Sequence, residues 1–306
     1  MFSLLPLAAI STALLLSVRA ASPVSTSDYS GTFDRLFVFG DSYSTVHFQV
    51  KGTQPNATNP IGNPAWPGRT TANGPNWVSD ITGLYNSTLL YTYDFAVAGA
   101  VVDNNLVPPY VVDLPSFVTQ VASFRKYYEH PNGVYTKSTT TSVEWTSTNT
   151  LFASWFGIND ILNGYSFSNW TETRPQVVQA YFDRASYLHY LGAQSFIFLS
   201  VPPIWRAPLF WNTTKQIVIE QEVNTFNNLL AEGLTTFQAA YPDSVAQLLN
   251  TTPIFYQALD DPTAYAARDA TCYSSNGVSC LWWNDLHPGQ AIHKLVAAAV
   301  ARLTGI

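Results

Sequence analysis

The sequence predicts an α/β fold, a three-layer α/β/α sandwich around a mostly parallel sheet of five strands, and three observations lead to it. Apolar runs rich in Phe, Val, Ile and Tyr recur at residues 36–39, 90–95, 151–156, 195–201 and 244–249 without strict alternation, as strands covered on both faces require. Helical patterns separate the later runs, and strands that alternate with helices pair in parallel through crossovers. No internal repeat and no Gly/Ser or Pro linker divides the chain, so residues 21–306 read as one domain whose folded part begins at about Thr32.

The elements follow in order. Residues 4–18 form an apolar stretch that ends in Val18-Arg19-Ala20, a secretory signal peptide over residues 1–20 with cleavage after about Ala20. The stretch is too short to span a bilayer comfortably. The first strand runs into Phe39-Gly40-Asp41-Ser42-Tyr43-Ser44, which places a serine just past a strand's carboxyl end, in a turn expected to open a helix. Open α/β sheets bind ligands there. Residues 54–75, dense in Asn, Pro, Gly and Thr, form a long loop of the kind that is usually functional. The second strand leads into Asp94-Phe95-Ala96-Val97-Ala98-Gly99-Ala100. The Ser/Thr tract at 138–150 is a surface excursion before the third strand, which ends in Phe156-Gly157-Ile158-Asn159-Asp160. Helices are expected over 174–191, 215–240 and 289–303. In the second of these, Ile219, Val223, Phe226, Leu230, Leu234 and Phe237 mark one apolar face at steps of three and four.

Composition narrows the function. Of 306 residues 47% are hydrophobic and only 11% charged, against roughly 25% in ordinary soluble proteins, so disorder is excluded. A net charge of −6 argues against nucleic acid, which needs a cationic surface. Five Asn-x-Ser/Thr sequons begin at Asn56, Asn86, Asn169, Asn212 and Asn250, and with the leader they point to a secreted glycoprotein. The two cysteines, Cys272 and Cys280, are expected to pair in an oxidising compartment. No CxxC, Cys/His cluster or HExxH supports a metal site. The apolar end, residues 295–306, carries Arg302 and lacks a polar spacer, so no lipid anchor and no stable membrane insertion is expected.

Four motifs carry chemistry. Ser42 is the candidate nucleophile. Gly99, among small residues that let backbone approach a ligand, and Asn159, with its amide, are candidate oxyanion donors. In Trp282-Trp283-Asn284-Asp285-Leu286-His287-Pro288, His287 is the candidate base that takes the Ser42 proton and returns it to the leaving alcohol. Asp160 reads as a structural cap, and His47, His130, His189 and His293 as surface or core residues.

This set, in this chain order, resembles the SGNH (GDSL) hydrolase family over nearly the whole mature chain. Residues 37–44, 77–83, 95–99 and 282–288 look like the fungal secreted acetylesterases of the carbohydrate esterase group. The resemblance implies a flavodoxin-like sheet, Ser42 as nucleophile, Gly99 and Asn159 as oxyanion donors, and His287 as base. It also implies acetyl groups on hemicellulose-derived oligosaccharides as substrate. The acyl transfer requires no cofactor, and the expected partner is a small-molecule or oligosaccharide ester met by a monomer. The family usually places an Asp three residues before its His, whereas this chain has Asn284 there and Asp285 two before. Either side chain, or a backbone carbonyl, then orients His287, with Asp285 weighed slightly higher. Trp66, Trp282 and Trp283 are the candidates for a substrate wall. Two rivals stand beside this reading: a lipolytic esterase or phospholipase on the same scaffold, and a catalytically silent carbohydrate-binding wall protein.

Overall fold

The computed structural model describes Tyr29, residues 32–129 and residues 145–306. Residues 1–20, His130 and the start of the Ser/Thr tract lie outside the described residues. The strands are β1 (Arg35–Gly40), β2 (Tyr91–Asp94), β3 (Thr150–Trp155), β4 (Ser195–Leu199) and β5 (Val245–Leu249), each within a residue or two of its apolar run. They form one sheet in the order β2-β1-β3-β4-β5, and every pairing is parallel. The expected α/β architecture is borne out, with the sheet wholly rather than mostly parallel. β3 is buried at all six positions and β1 at five, which is why their sequences run apolar without alternation.

The helices are α1 (Trp77–Gly83), α2 (Phe117–Tyr128), α3 (Ile158–Gly164), α4 (Trp170–Tyr190), α5 (Gln216–Ala240), α6 (Thr252–Leu259) and α7 (Gln290–Thr304). α1, α6 and α7 pack together over one face, and α2, α4 and α5 over the other. Phe37 of β1 stands at the centre of an aromatic cluster beneath α2, stacked on Tyr93 at 4.8 Å and Phe152 at 5.3 Å and edge-on to Phe124 at 4.9 Å. Each such pair adds about 0.5–1.5 kcal/mol beyond the area it buries.

α5 and α7 match their expected spans within a residue, but α4 begins four residues early and takes Pro175 inside. Tertiary contacts hold that first turn. Trp170 is buried, its Nε1–H donates to Glu222 Oε2 of α5 at 2.7 Å, and Arg174 pairs with the same carboxylate at 2.8 Å. These outweigh the one backbone bond that proline removes. Cys272 and Cys280 are bonded, closing a loop just before Trp282.

Candidate active site

The order β2-β1-β3 reverses direction about β1, and in doubly wound sheets ligands bind at that reversal, outside the strands' carboxyl ends. Ser42 follows β1 and Asn159 follows β3. The helix expected to open at Ser42 is absent. Ser44 N–H and Thr45 N–H both donate to Asp41 O, at 3.2 and 3.0 Å, making one turn that stops there, and α1 starts only at Trp77. Without a helix behind it, the turn is held by side chains. Gln120 of α2 brackets Gly40, receiving its N–H at 3.0 Å and donating to its carbonyl at 2.9 Å. Thr71 Oγ1 donates to Ser42 O at 2.7 Å, and Asn76 Nδ2 donates to Ser44 O at 2.7 Å while its Oδ1 caps α1. Asp94, at the end of β2, accepts from Val46 N–H at 2.5 Å and Ala96 N–H at 3.0 Å. Burial pushes its carboxyl up to about 8.

The candidate base comes from the segment between the disulfide and α7. His287 Nε2 lies 2.8 Å from Ser42 Oγ, and its Nδ1 lies 3.0 Å from Asn284 Oδ1. The slight preference for Asp285 is corrected by this contact. Asp285 is exposed, and its backbone carbonyl accepts from Leu209 N–H at 2.8 Å. Asn284 Oδ1 also accepts from Leu286 N–H at 3.0 Å and His287 N–H at 2.7 Å. A flipped amide would set its NH2 against both of those donors, so the oxygen is fixed toward the ring. A carbonyl oxygen can only accept, which assigns the proton to Nδ1 and leaves Nε2 free to accept from Ser42 Oγ–H. Burial lowers the imidazole to about 4, the Asp285 charge drawing it partly back. Tyr43 ties the two halves together, its hydroxyl donating to Leu286 O at 2.6 Å.

Gly99 sits at φ +84°, a left-handed conformation that glycine takes without strain. Neither its N–H nor that of Ser42 is hydrogen-bonded among the described residues. Asn159 lies in the first turn of α3, which opens on Gly157 at φ +115°. Its Nδ2 donates to Asp41 Oδ2 at 3.1 Å and to Ala100 O at 3.0 Å, joining the Ser42 turn to the Gly99 turn. Asp160, expected to cap its own turn, meets backbone N–H groups of that turn and also accepts from Val102 N–H at 2.9 Å, which anchors the loop beyond Gly99.

Comparison with known proteins decides the family. The profile described as GDSL-like Lipase/Acylhydrolase matches residues 36–300. This chain belongs to that family. It is a carboxylic ester hydrolase. An acetylesterase of Thermothelomyces thermophilus is 40% identical over 284 residues, covering 92% of this chain and 91% of that protein. One of Hypocrea jecorina is 22% identical over 319 residues, 87% of each. Among solved structures, an acetylxylan esterase from Geobacillus stearothermophilus superposes with a TM-score of 0.50 at 13% identity, covering 91% of this chain and 97% of that one. An alpha/beta hydrolase enzyme from the metagenome of Lake Arreo superposes at 0.52 with 14% identity, covering 90% and 97%. At those identities the likeness is one of fold.

In this GDSL-like hydrolase the expected tryptophan wall divides. Trp282 is fully buried with Nε1–H donated to Ala270 O, so it is core. Trp283 stands edge-on to His287 at 5.9 Å, and Trp66 is half-exposed with its Nε1–H bound to Ser79 O. His47 meets Arg69 O, His189 meets Asp243, and His293 is buried behind Tyr43. Tyr43, Thr71, Asn76, Gln120 and Asp94 were not singled out from sequence as supports of the site. Among the described residues no group of three or more His, Cys, Asp or Glu could hold a metal ion, and no helix is long and apolar enough to cross a membrane.

Proposed function

We propose that this esterase removes acetyl groups from carbohydrate esters, hemicellulose-derived oligosaccharides in particular, through an acyl-Ser42 intermediate. The observation that carries the reading is the unbroken line from Asn284 Oδ1 through His287 to Ser42 Oγ, at 3.0 and 2.8 Å. His287 Nε2 takes the hydroxyl proton as Ser42 Oγ bonds to the ester carbon. The oxyanion is met by the N–H groups of Ser42 and Gly99 and by the Asn159 amide, His287 then protonates the departing sugar oxygen, and water repeats the sequence on the acyl-enzyme. Asn284 holds the productive tautomer and Asp285 acts on the ring through its charge alone. The acetyl group is supported by the 40% identity to an acetylesterase, and sugar as the alcohol by the fold shared with an acetylxylan esterase.

The same reading takes residues 21–306 as one catalytic domain, exported behind the leader at 1–20 and carrying glycans at some of its sequons. The Cys272–Cys280 bond supports export, since such bonds persist in oxidising compartments. The test is acetate release from acetylated xylo-oligosaccharides beside hydrolysis of a long-chain nitrophenyl ester, with Ser42→Ala as control. Acetate release that vanishes in Ser42→Ala is expected. Near wild-type activity in that variant sinks the mechanism, and faster turnover of the long chain makes the protein a lipolytic esterase instead.

A further inference from the structure

The loop between β2 and α2 ends in an apolar tip, with Tyr110, Val111 and Val112 exposed by 69%, 47% and 83%. Three consecutive exposed apolar residues are a liability in solution unless something binds there. The loop is braced rather than slack. Asn104 Nδ2 donates to Leu114 O at 2.8 Å, and Leu106 and Val107 N–H both reach Asp103 O. Pro108, Pro109 and Pro115 fix three backbone dihedrals. Asn163 Nδ2 donates to Pro108 O at 3.1 Å, which fastens the loop to α3, the helix that carries Asn159.

The tip leans on the oxyanion glycine. A Cβ placed at residue 99 would stand 2.0 Å from Tyr110 Cε1 and 3.0 Å from Leu114 Cδ1, so the Tyr110 ring covers the Cα face of the residue whose N–H meets the ester oxygen. The Tyr110 hydroxyl has no hydrogen-bond partner among the described residues. A ring this exposed cannot enclose a small acyl group, because a closed acyl pocket would bury it. Its open side suits the alcohol half of the ester. A pyranose has an apolar C–H face and a hydroxylated rim, and tyrosine matches both with a flat ring and a polar tip. Held on a braced loop, the ring loses little freedom when it binds.

We propose that Tyr110 is a specificity residue, the platform on which the sugar that bears the acetyl group stacks. This rests on the carbohydrate-ester reading above. The experiment compares kcat/KM for acetylated xylo-oligosaccharides and for 4-nitrophenyl acetate in wild type, Tyr110→Ala and Tyr110→Phe, with melting temperatures to verify folding. In Tyr110→Ala the ratio of the two efficiencies should fall about tenfold, mainly through KM for the oligosaccharide, and Tyr110→Phe should keep most of the wild-type ratio. Equal losses on both substrates would mean that the ring only supports Gly99 and would overturn the proposal, as would no loss on either or a selective loss on a long-chain ester. A wild type inert toward the acetylated oligosaccharide overturns the carbohydrate reading and this inference together. A wild type active on it, with an unchanged ratio in Tyr110→Ala, overturns this inference alone.

Discussion

The two halves of the proposed catalytic pair are held by opposite means. Around Ser42, contacts arrive from far along the chain: Gln120 on Gly40, Thr71 on Ser42 O, Asn76 on Ser44 O and Asp94 on Val46. The turn is buried and is braced by residues up to 80 positions away, with the Ser42 N–H left without a partner among the described residues. Around His287, the principal contact is local. One side chain three residues upstream, Asn284, takes two backbone N–H groups and the ring at once. The candidate nucleophile is thus held by the whole fold, whereas the candidate base is set by a single short turn. Losses at the first should therefore be shared among many contacts, and losses at the second concentrated in one.

The sharpest way to break this contrast is Asn284→Ala. If tautomer control rests on one oxygen, kcat should fall on the order of 10³–10⁴, as when a catalytic histidine loses its orienting partner elsewhere. Melting temperature should fall by a few degrees, because two backbone N–H groups lose their acceptor, and a kcat loss under tenfold would show that the base has supports not visible in its hydrogen bonds. Tyr43→Phe cuts the bond that, beside the Ser42–His287 contact itself, joins the two halves, and it leaves Leu286 O without its donor. A loss of about 1–2 kcal/mol in urea unfolding and about tenfold in kcat is expected, and an unchanged kcat would mean that the halves are registered by packing alone. The smallest effect belongs to Asp285→Asn. Burial holds the His287 imidazole at about 4, so kcat/KM in the wild type should reach half its plateau near pH 4. Asp285 raises that value, so its removal must move the acid limb to lower pH, by less than about one unit because an exposed charge couples weakly through water. A limb shifted upward would contradict the placement.

Much of the fold could be read before any coordinate. Strands covered on both faces announce themselves as apolar runs, and α5 shows its buried face in the spacing of Ile219, Val223, Phe226 and Leu230. α2 carries the same signal in Phe117, Val121, Phe124 and Tyr128. The short α1 and α6 repeat the helical period too few times to declare it. At the site, motif and order placed Ser42, Gly99, Asn159 and His287 as candidates, and the structure brings Ser42 and His287 into contact. The choice between Asn284 and Asp285 was not available, because it depends on which side chain the turn aims at Nδ1. Tyr110 was equally hidden, since its meaning lies in resting on Gly99.

The acids shut inside the molecule have an effect that reaches past catalysis. Asp41, Asp94 and Asp160 are raised by burial to about 7, 8 and 7. Their share of folding stability is whole below the unfolded value of 3.8 and drains away as pH climbs through 7 to 8. His287 and His293, lowered by burial to about 4 and 3, act in reverse, and their share is whole above 6.5 and lost as pH drops through those values. Asp80, raised by burial to about 6, draws with the three acids, and Asp269, lowered to about 2 by its bond to Arg268, draws with the histidines; with four groups drawing one way and three the other, the crest of thermal stability belongs on the acid side of neutrality, with alkali the harsher insult. Every ester cleaved sets free a carboxylic acid, so turnover carries the surrounding solution toward the conditions under which this protein is hardest to unfold.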